Sequence, residues 1–127
     1  MKMKKLYLLF SHKLTPEQIE DAKKNLGVEE FVYMPAILQE KWSNVPAEME
    51  DLSEYAKDFI KFLDSAKEGD YVLIQGDFGL TYKLVNHAKS KKLIPVYATT
   101  KRVSKEINSG NKVLKVSEFD HVRFRKY

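Results

Sequence analysis

Two rhythms of apolar and polar residues alternate along this chain. Lys4 to Phe10, Glu29 to Met34, Tyr71 to Ile74 and Leu93 to Ala98 are short, nearly continuous apolar runs of strand length. Between them, apolar residues recur at helical spacing. The first helix has a clear start: Thr15 as N-cap, Pro16 at the first helical position, Gln18 closing a capping box and Leu14 placed to staple onto Ile19. Ile19, Ala22 and Leu26 are its buried stripe, and Gly27 ends it. A short helix and loop between Ala36 and Pro46 carry Trp42, read as a packing anchor rather than a base-stacking platform. Met49, Leu52, Ala56, Phe59, Ile60 and Leu63 then predict a long helix whose exposed side is acidic. Strand three turns through Gln75-Gly76-Asp77-Phe78-Gly79 into a helix with Leu80, Leu84, Val85 and Ala88 inside. This alternation is the doubly wound α/β pattern of a mostly parallel sheet flanked by helices. After Ala98 it changes. Val103 to Ile107 and Lys112 to Val116 predict a β-hairpin, and His121 to Tyr127 a final strand, whose period of two sends His121, Arg123, Arg125 and Tyr127 to one face.

At 127 residues and 43% hydrophobic content the chain is expected to form one domain, residues 1–127, with a core that needs no staple. It has no cysteine, which excludes disulfides, thiolate zinc sites and a cysteine nucleophile. No apolar run approaches the roughly 18 residues of a membrane helix, and no signal peptide is recognisable. The expected location is the cytoplasm. The net charge of +4 is unevenly spread, because residues 101–127 hold eight basic residues against three acids and all three arginines of the chain. Arginine's flat fork fits phosphate, although a solvated basic edge is the plainer reading.

If the first four strands are parallel, four polar loops share one end of the sheet: Ser11-His12-Lys13, the region after Pro35, Gln75 to Gly79, and Thr99 to Arg102. A strand-to-helix glycine turn at that end presents backbone N–H groups and a helix start to a crevice, and phosphate suits it. Gly76 and Gly79 also serve such a turn with nothing bound. The `DFG` at Asp77 has no kinase context, no Walker sequence or `GxGxxG` occurs, and His12, His87 and His121 lack metal-ligand spacing. No cofactor and no metal are expected.

The segments `LFSHKLTPEQ`, `ILQEKWSNVP`, `VLIQGDFG`, `PVYATTKR` and `HVRFRKY`, spread over nearly the whole length, together resemble the small, single-domain Csx-type ring nucleases that accompany type III CRISPR systems. The resemblance implies a Rossmann-like fold akin to the CRISPR-associated sensor (CARF) domains. It also implies a homodimer and a substrate, cyclic oligoadenylate, that is cut to linear products to end an antiviral signal. No catalytic residue of the family maps onto this chain, so roles rest on chemistry. A ribose 2′-OH attacks its own adjacent phosphorus, and the protein must align it and stabilise the added charge. Lys101 and Arg102, with backbone amides from Gly76 to Gly79, are the expected phosphate clamp, and Ser11 and His12 the groups that position the 2′-OH or move its proton. Gln75, Asp77, Phe78, Thr99, Thr100, Arg123 and Arg125 complete the expected substrate contacts. The alternatives are a non-catalytic sensor or sponge for the same ligand, a flavodoxin-like module and a general RNA adaptor. `SHKLTP` lacks a flavin-phosphate cradle, and the mild net charge argues against non-specific binding to long nucleic acid.

Overall fold

The computed structural model describes residues 3–127. Ten elements follow one another: β1 (Lys4–Leu9), α1 (Pro16–Asn25), β2 (Val28–Tyr33), α2 (Ala36–Ser43), α3 (Ser53–Phe62), a short 3-10 turn (Leu63–Ser65), β3 (Tyr71–Ile74), α4 (Phe78–Ser90), β4 (Ile94–Ser109) and β5 (Lys112–Lys126). The five strands form one sheet in the order β2-β1-β3-β4-β5. The pairings β1/β2, β1/β3 and β3/β4 are parallel, while the long β4/β5 pairing is antiparallel, so the sheet is mixed rather than mostly parallel as the sequence pattern predicts.

Along the buried central strands the side chains face the two sides of the sheet alternately. Tyr7 and Leu9 of β1 and Val72 and Ile74 of β3 face one core with α2, α3 and α4. Leu6, Leu8, Tyr71 and Leu73 face the other, with α1, Val96 and Phe124. A strand covered on both sides has no polar face to show, hence the continuous apolar runs. The capping box at α1 forms as the sequence predicts: Gln18 N donates to Thr15 Oγ1 at 3.2 Å, and Thr15 N to Gln18 Oε1 at 2.9 Å. Gly27, at φ +69°, takes the left-handed turn that releases the chain into β2.

Three further expectations are corrected. The long third helix starts at Ser53 rather than near Met49, because the Asp51 carboxylate accepts from Ser53 N at 2.8 Å and turns the chain there; Met49 is exposed. The fourth strand, the hairpin and the final strand are not separate pieces. They merge into two long strands paired from Val96↔Lys126 to Ser109↔Lys112. Finally, the pairing slips between Thr99↔Arg123 and Thr100↔His121, leaving Val122 without a partner. Such a bulge reverses the facing of everything beyond it. His121 therefore joins Phe124 on the α1 side, ring centroids 4.8 Å apart, instead of sharing a face with Arg125 and Tyr127.

Candidate functional site

The site is built where β1 and β3 end and β4 runs on. Gln75 N donates to Leu9 O at 3.1 Å, and the Gln75 side-chain oxygen accepts from Ala98 N at 2.9 Å, tying the turn to both neighbouring strands. Trp42, from α2, donates its indole N–H to Gln75 O at 2.9 Å and packs edge-on against Phe59. Its role is anchorage. A Cβ on Gly76 would lie 2.6 Å from Trp42 Nε1, so that glycine is demanded by packing; one on Gly79 would meet only ordinary contacts.

Asp77 is the N-cap of α4, its carboxylate accepting from Leu80 N at 2.9 Å. Phe78 and Gly79 open the helix, where backbone N–H groups have no carbonyl within the helix to pair with. Phe78 is 94% exposed, and Tyr82, one turn on, is exposed too. Beside them lies a cleft of about 380 Å³ lined by Gln75, Gly76, Phe78, Thr81, Tyr97 and Tyr127. The Tyr97 and Tyr127 rings meet at 4.9 Å between centroids. The Tyr127 hydroxyl donates to Ile74 O, and burial, with Tyr97 nearby, raises its pKa and keeps the phenol protonated. Arg125 lies over Tyr97 at 5.4 Å, with Nη1 2.9 Å from the Tyr97 hydroxyl. The Thr81 hydroxyl is buried without a partner. Apolar walls, a few polar groups and a helix start suit a flat ring carrying a phosphate.

The fold thus unites Gln75, Gly76 and Phe78 in the cleft, with Arg125 on its tyrosine wall. Ser11 and His12 leave β1 at the same end of the sheet, both exposed, with His12 edge-on to Phe10. Thr99 donates to Arg123 O across the hairpin at 3.0 Å, and Thr100 pairs with His121. Lys101 and Arg102 stand on the projecting part of β4. As consecutive strand residues they point to opposite faces: Lys101 shares the face of Tyr97, while Arg102 turns away and donates to Ser117 Oγ at 3.1 and 3.3 Å. A clamp made by both on one phosphate is therefore corrected to Lys101 alone on the cleft side. Arg123 lines a different hollow, about 340 Å³ between α1 and β5, with Asp21, Asn25, Leu26, Val122 and Phe124.

The sequence reading leaves out Thr81, Tyr97 and Tyr127. Tyr127 carries a visible signal in its alternation with Arg125, but its meeting with Tyr97 depends on the register Tyr97↔Arg125, which strand periodicity does not specify. Among the described residues no cluster of three or more His, Asp or Glu is placed to hold a metal, and no helix is long and apolar enough to cross a membrane.

No solved structure matches this chain. It is 56% identical over 126 residues, 98% of each chain, to the protein named "Uncharacterized protein MJ1673" of Methanocaldococcus jannaschii. A family model described as the "Uncharacterized protein MJ1673 family" matches residues 4–125, and the chain belongs to that family.

Proposed function

We propose that this protein is a metal-independent ring nuclease that binds cyclic oligoadenylate, cyclic tetra-adenylate above all, opens it to linear products and so switches off type III CRISPR antiviral signalling. The observation that carries the reading is the cleft: Phe78, Tyr97 and Tyr127 offer stacking surface for a base beside the start of α4 and the Arg125 guanidinium, the pairing a nucleotide asks for. The parallel order β2-β1-β3-β4, with helices between successive strands, supports a Rossmann-like, CARF-like ancestry for the core. A ring of four like nucleotides has near four-fold symmetry, and a two-fold homodimer in the cytoplasm is its natural receptor.

In the proposed reaction the ribose 2′-oxygen forms a bond to its adjacent phosphorus and the bond to the 5′-oxygen breaks. The product carries a 2′,3′-cyclic phosphate at one end and a 5′-hydroxyl at the other. Ser11 or His12 takes the 2′-OH proton, and the departing 5′-oxygen regains one. Lys101 and the amides of Phe78 and Gly79 stabilise the charge gathered on the phosphorane oxygens.

Purified protein incubated with cyclic tetra- and hexa-adenylate in excess chelator, followed by chromatography, tests substrate, reaction and metal need together. Linear product in chelator is the expected result. Tight binding with no product after long incubation would return the protein to the sponge reading, and neither binding nor product would end both.

A further inference from the structure

Beyond Ala98, which is level with the Gln75 turn, β4 and β5 leave the sheet and continue as a two-stranded arm to the turn at Gly110. At about 3.3 Å per residue the arm reaches roughly 35 Å. Between Lys101 and Asp120 no residue is buried and only Val103 is half-buried, so nothing among the described residues covers it. A bare two-stranded ribbon is at best marginally stable in water.

The register sorts its side chains. One face carries Lys101, Val103, Lys105 and Ile107 from β4 opposite Asp120, Glu118, Val116 and Leu114 from β5. It continues the face of Tyr97 and Thr99. Ile107, Leu114 and Val116 are 48%, 52% and 37% exposed. The charges on these rungs are segregated by strand, cations on β4 and acids on β5, and Lys105 bridges Glu118 at 3.0 Å.

We propose that this face docks a second copy of the chain, the two arms lying face to face about a two-fold axis along the ribbon. That axis lays β4 of one copy over β5 of the other, so that each lysine meets the partner's acidic edge and Ile107 meets Leu114. Charge complementarity selects this occupant. A polyanion would face Glu118 and Asp120, and a basic peptide would face Lys101 and Lys105. Lys112, at the tip, falls opposite Ser109. The contact area is on the order of 350 Å² per copy, from a width of about 10 Å, against roughly 800 Å² for a standard interface. The association is therefore weak and transient.

Sedimentation velocity of the full chain, from micromolar to sub-millimolar concentration, reads the contact without any substrate, so its failure and that of the nuclease reading are separate results. The wild type is expected to move from monomer to dimer as concentration rises. Lys105→Glu and Glu118→Lys, which set like charges against each other across the two-fold, are each expected to weaken self-association about tenfold or more. An equimolar mixture of the two variants is expected to recover it as a heterodimer, which the bridge within one chain cannot explain because each variant has lost it. A wild type that stays monomeric or assembles past the dimer, single variants that associate like the wild type, or a mixture that fails to recover would each overturn the proposal.

Discussion

Gly76 is a glycine because an indole occupies the place of its side chain. Placing Cβ 2.6 Å from Trp42 Nε1 forces either the ring or the turn to move, and both are held: the ring by Phe59 and its bond to Gln75 O, the turn by Leu9 and Ala98. Gly76→Ala should therefore cost about 1–3 kcal/mol in a urea titration, the usual penalty of overpacking. Gly79→Ala, three residues on in the first turn of α4, meets only contacts of 3.5 Å and beyond, and should change stability by less than about 1 kcal/mol. If the two variants behaved alike, the glycines would be serving backbone freedom rather than the indole. The same turn is closed at its far end by Asp77, whose carboxylate caps α4.

At the scale of elements, the bulge at Val122 is what lets an edge strand serve both layers. It turns His121 inward, where Nε2 lies 2.7 Å from Asp21 Oδ2 on α1 and the two side chains are only 6% and 14% exposed. The other ring nitrogen, Nδ1, is buried without a partner. Burial by itself would raise the Asp21 pKa, but hydrogen bonds from Asn25 and His121 outweigh it and hold the carboxyl below its ordinary value of 3.8. A depressed carboxylate stabilises the fold above the unfolded chain's pKa. That contribution fades as pH falls through 3.8 towards the folded value, because the unfolded chain then binds a proton that the folded one refuses. Asp21→Ala leaves His121 buried with neither nitrogen paired, and should lower stability at neutral pH by about 1–3 kcal/mol. The loss relative to wild type should shrink on the acid side, measured as urea midpoints across pH. A pH-independent difference would mean that the carboxylate charge contributes nothing and only packing was lost.

For the whole molecule, charge and shape divide the surface. The exposed charges of α3 balance, Glu54 and Asp58 against Lys57 and Lys61, whereas a cationic excess lies on β4, β5 and the arm they form. An anionic ligand entering at the carboxyl end of the sheet meets the start of α4, Arg125 and Lys101. Strand alternation makes Lys101 and Arg102 unequal partners in this approach. Under the nuclease reading, Lys101→Ala should lower the single-turnover rate of cyclic tetra-adenylate cleavage by about 10²–10³-fold, as loss of one donor to a developing oxyanion does. Arg102→Ala, whose guanidinium is held by Ser117 on the far face, should stay within a few-fold of wild type. The reverse order would place the scissile phosphate on the other side of the arm.

Much of the fold was legible in the residues alone, because its signals are local. The capping box of α1, the glycine that ends it, the doubly covered strands β1 and β3 and the turn from β3 into α4 each follow from neighbours in sequence, through hydrogen bonds and burial that act over a few residues. What lay beyond reach depends on partners far along the chain. The bulge at Val122, the fusion of four expected pieces into two long strands and the meeting of Tyr97 with Tyr127 are all consequences of one antiparallel register. Pleat periodicity says which residues alternate but not which pair, so a slip of one residue, invisible in the pattern, decides which face each side chain serves. The sequence determined the parallel core and the turn that opens the cleft. Tertiary pairing alone decided what the cleft's far wall is made of, and that β4 and β5 run on past the sheet as an arm left bare by the described residues.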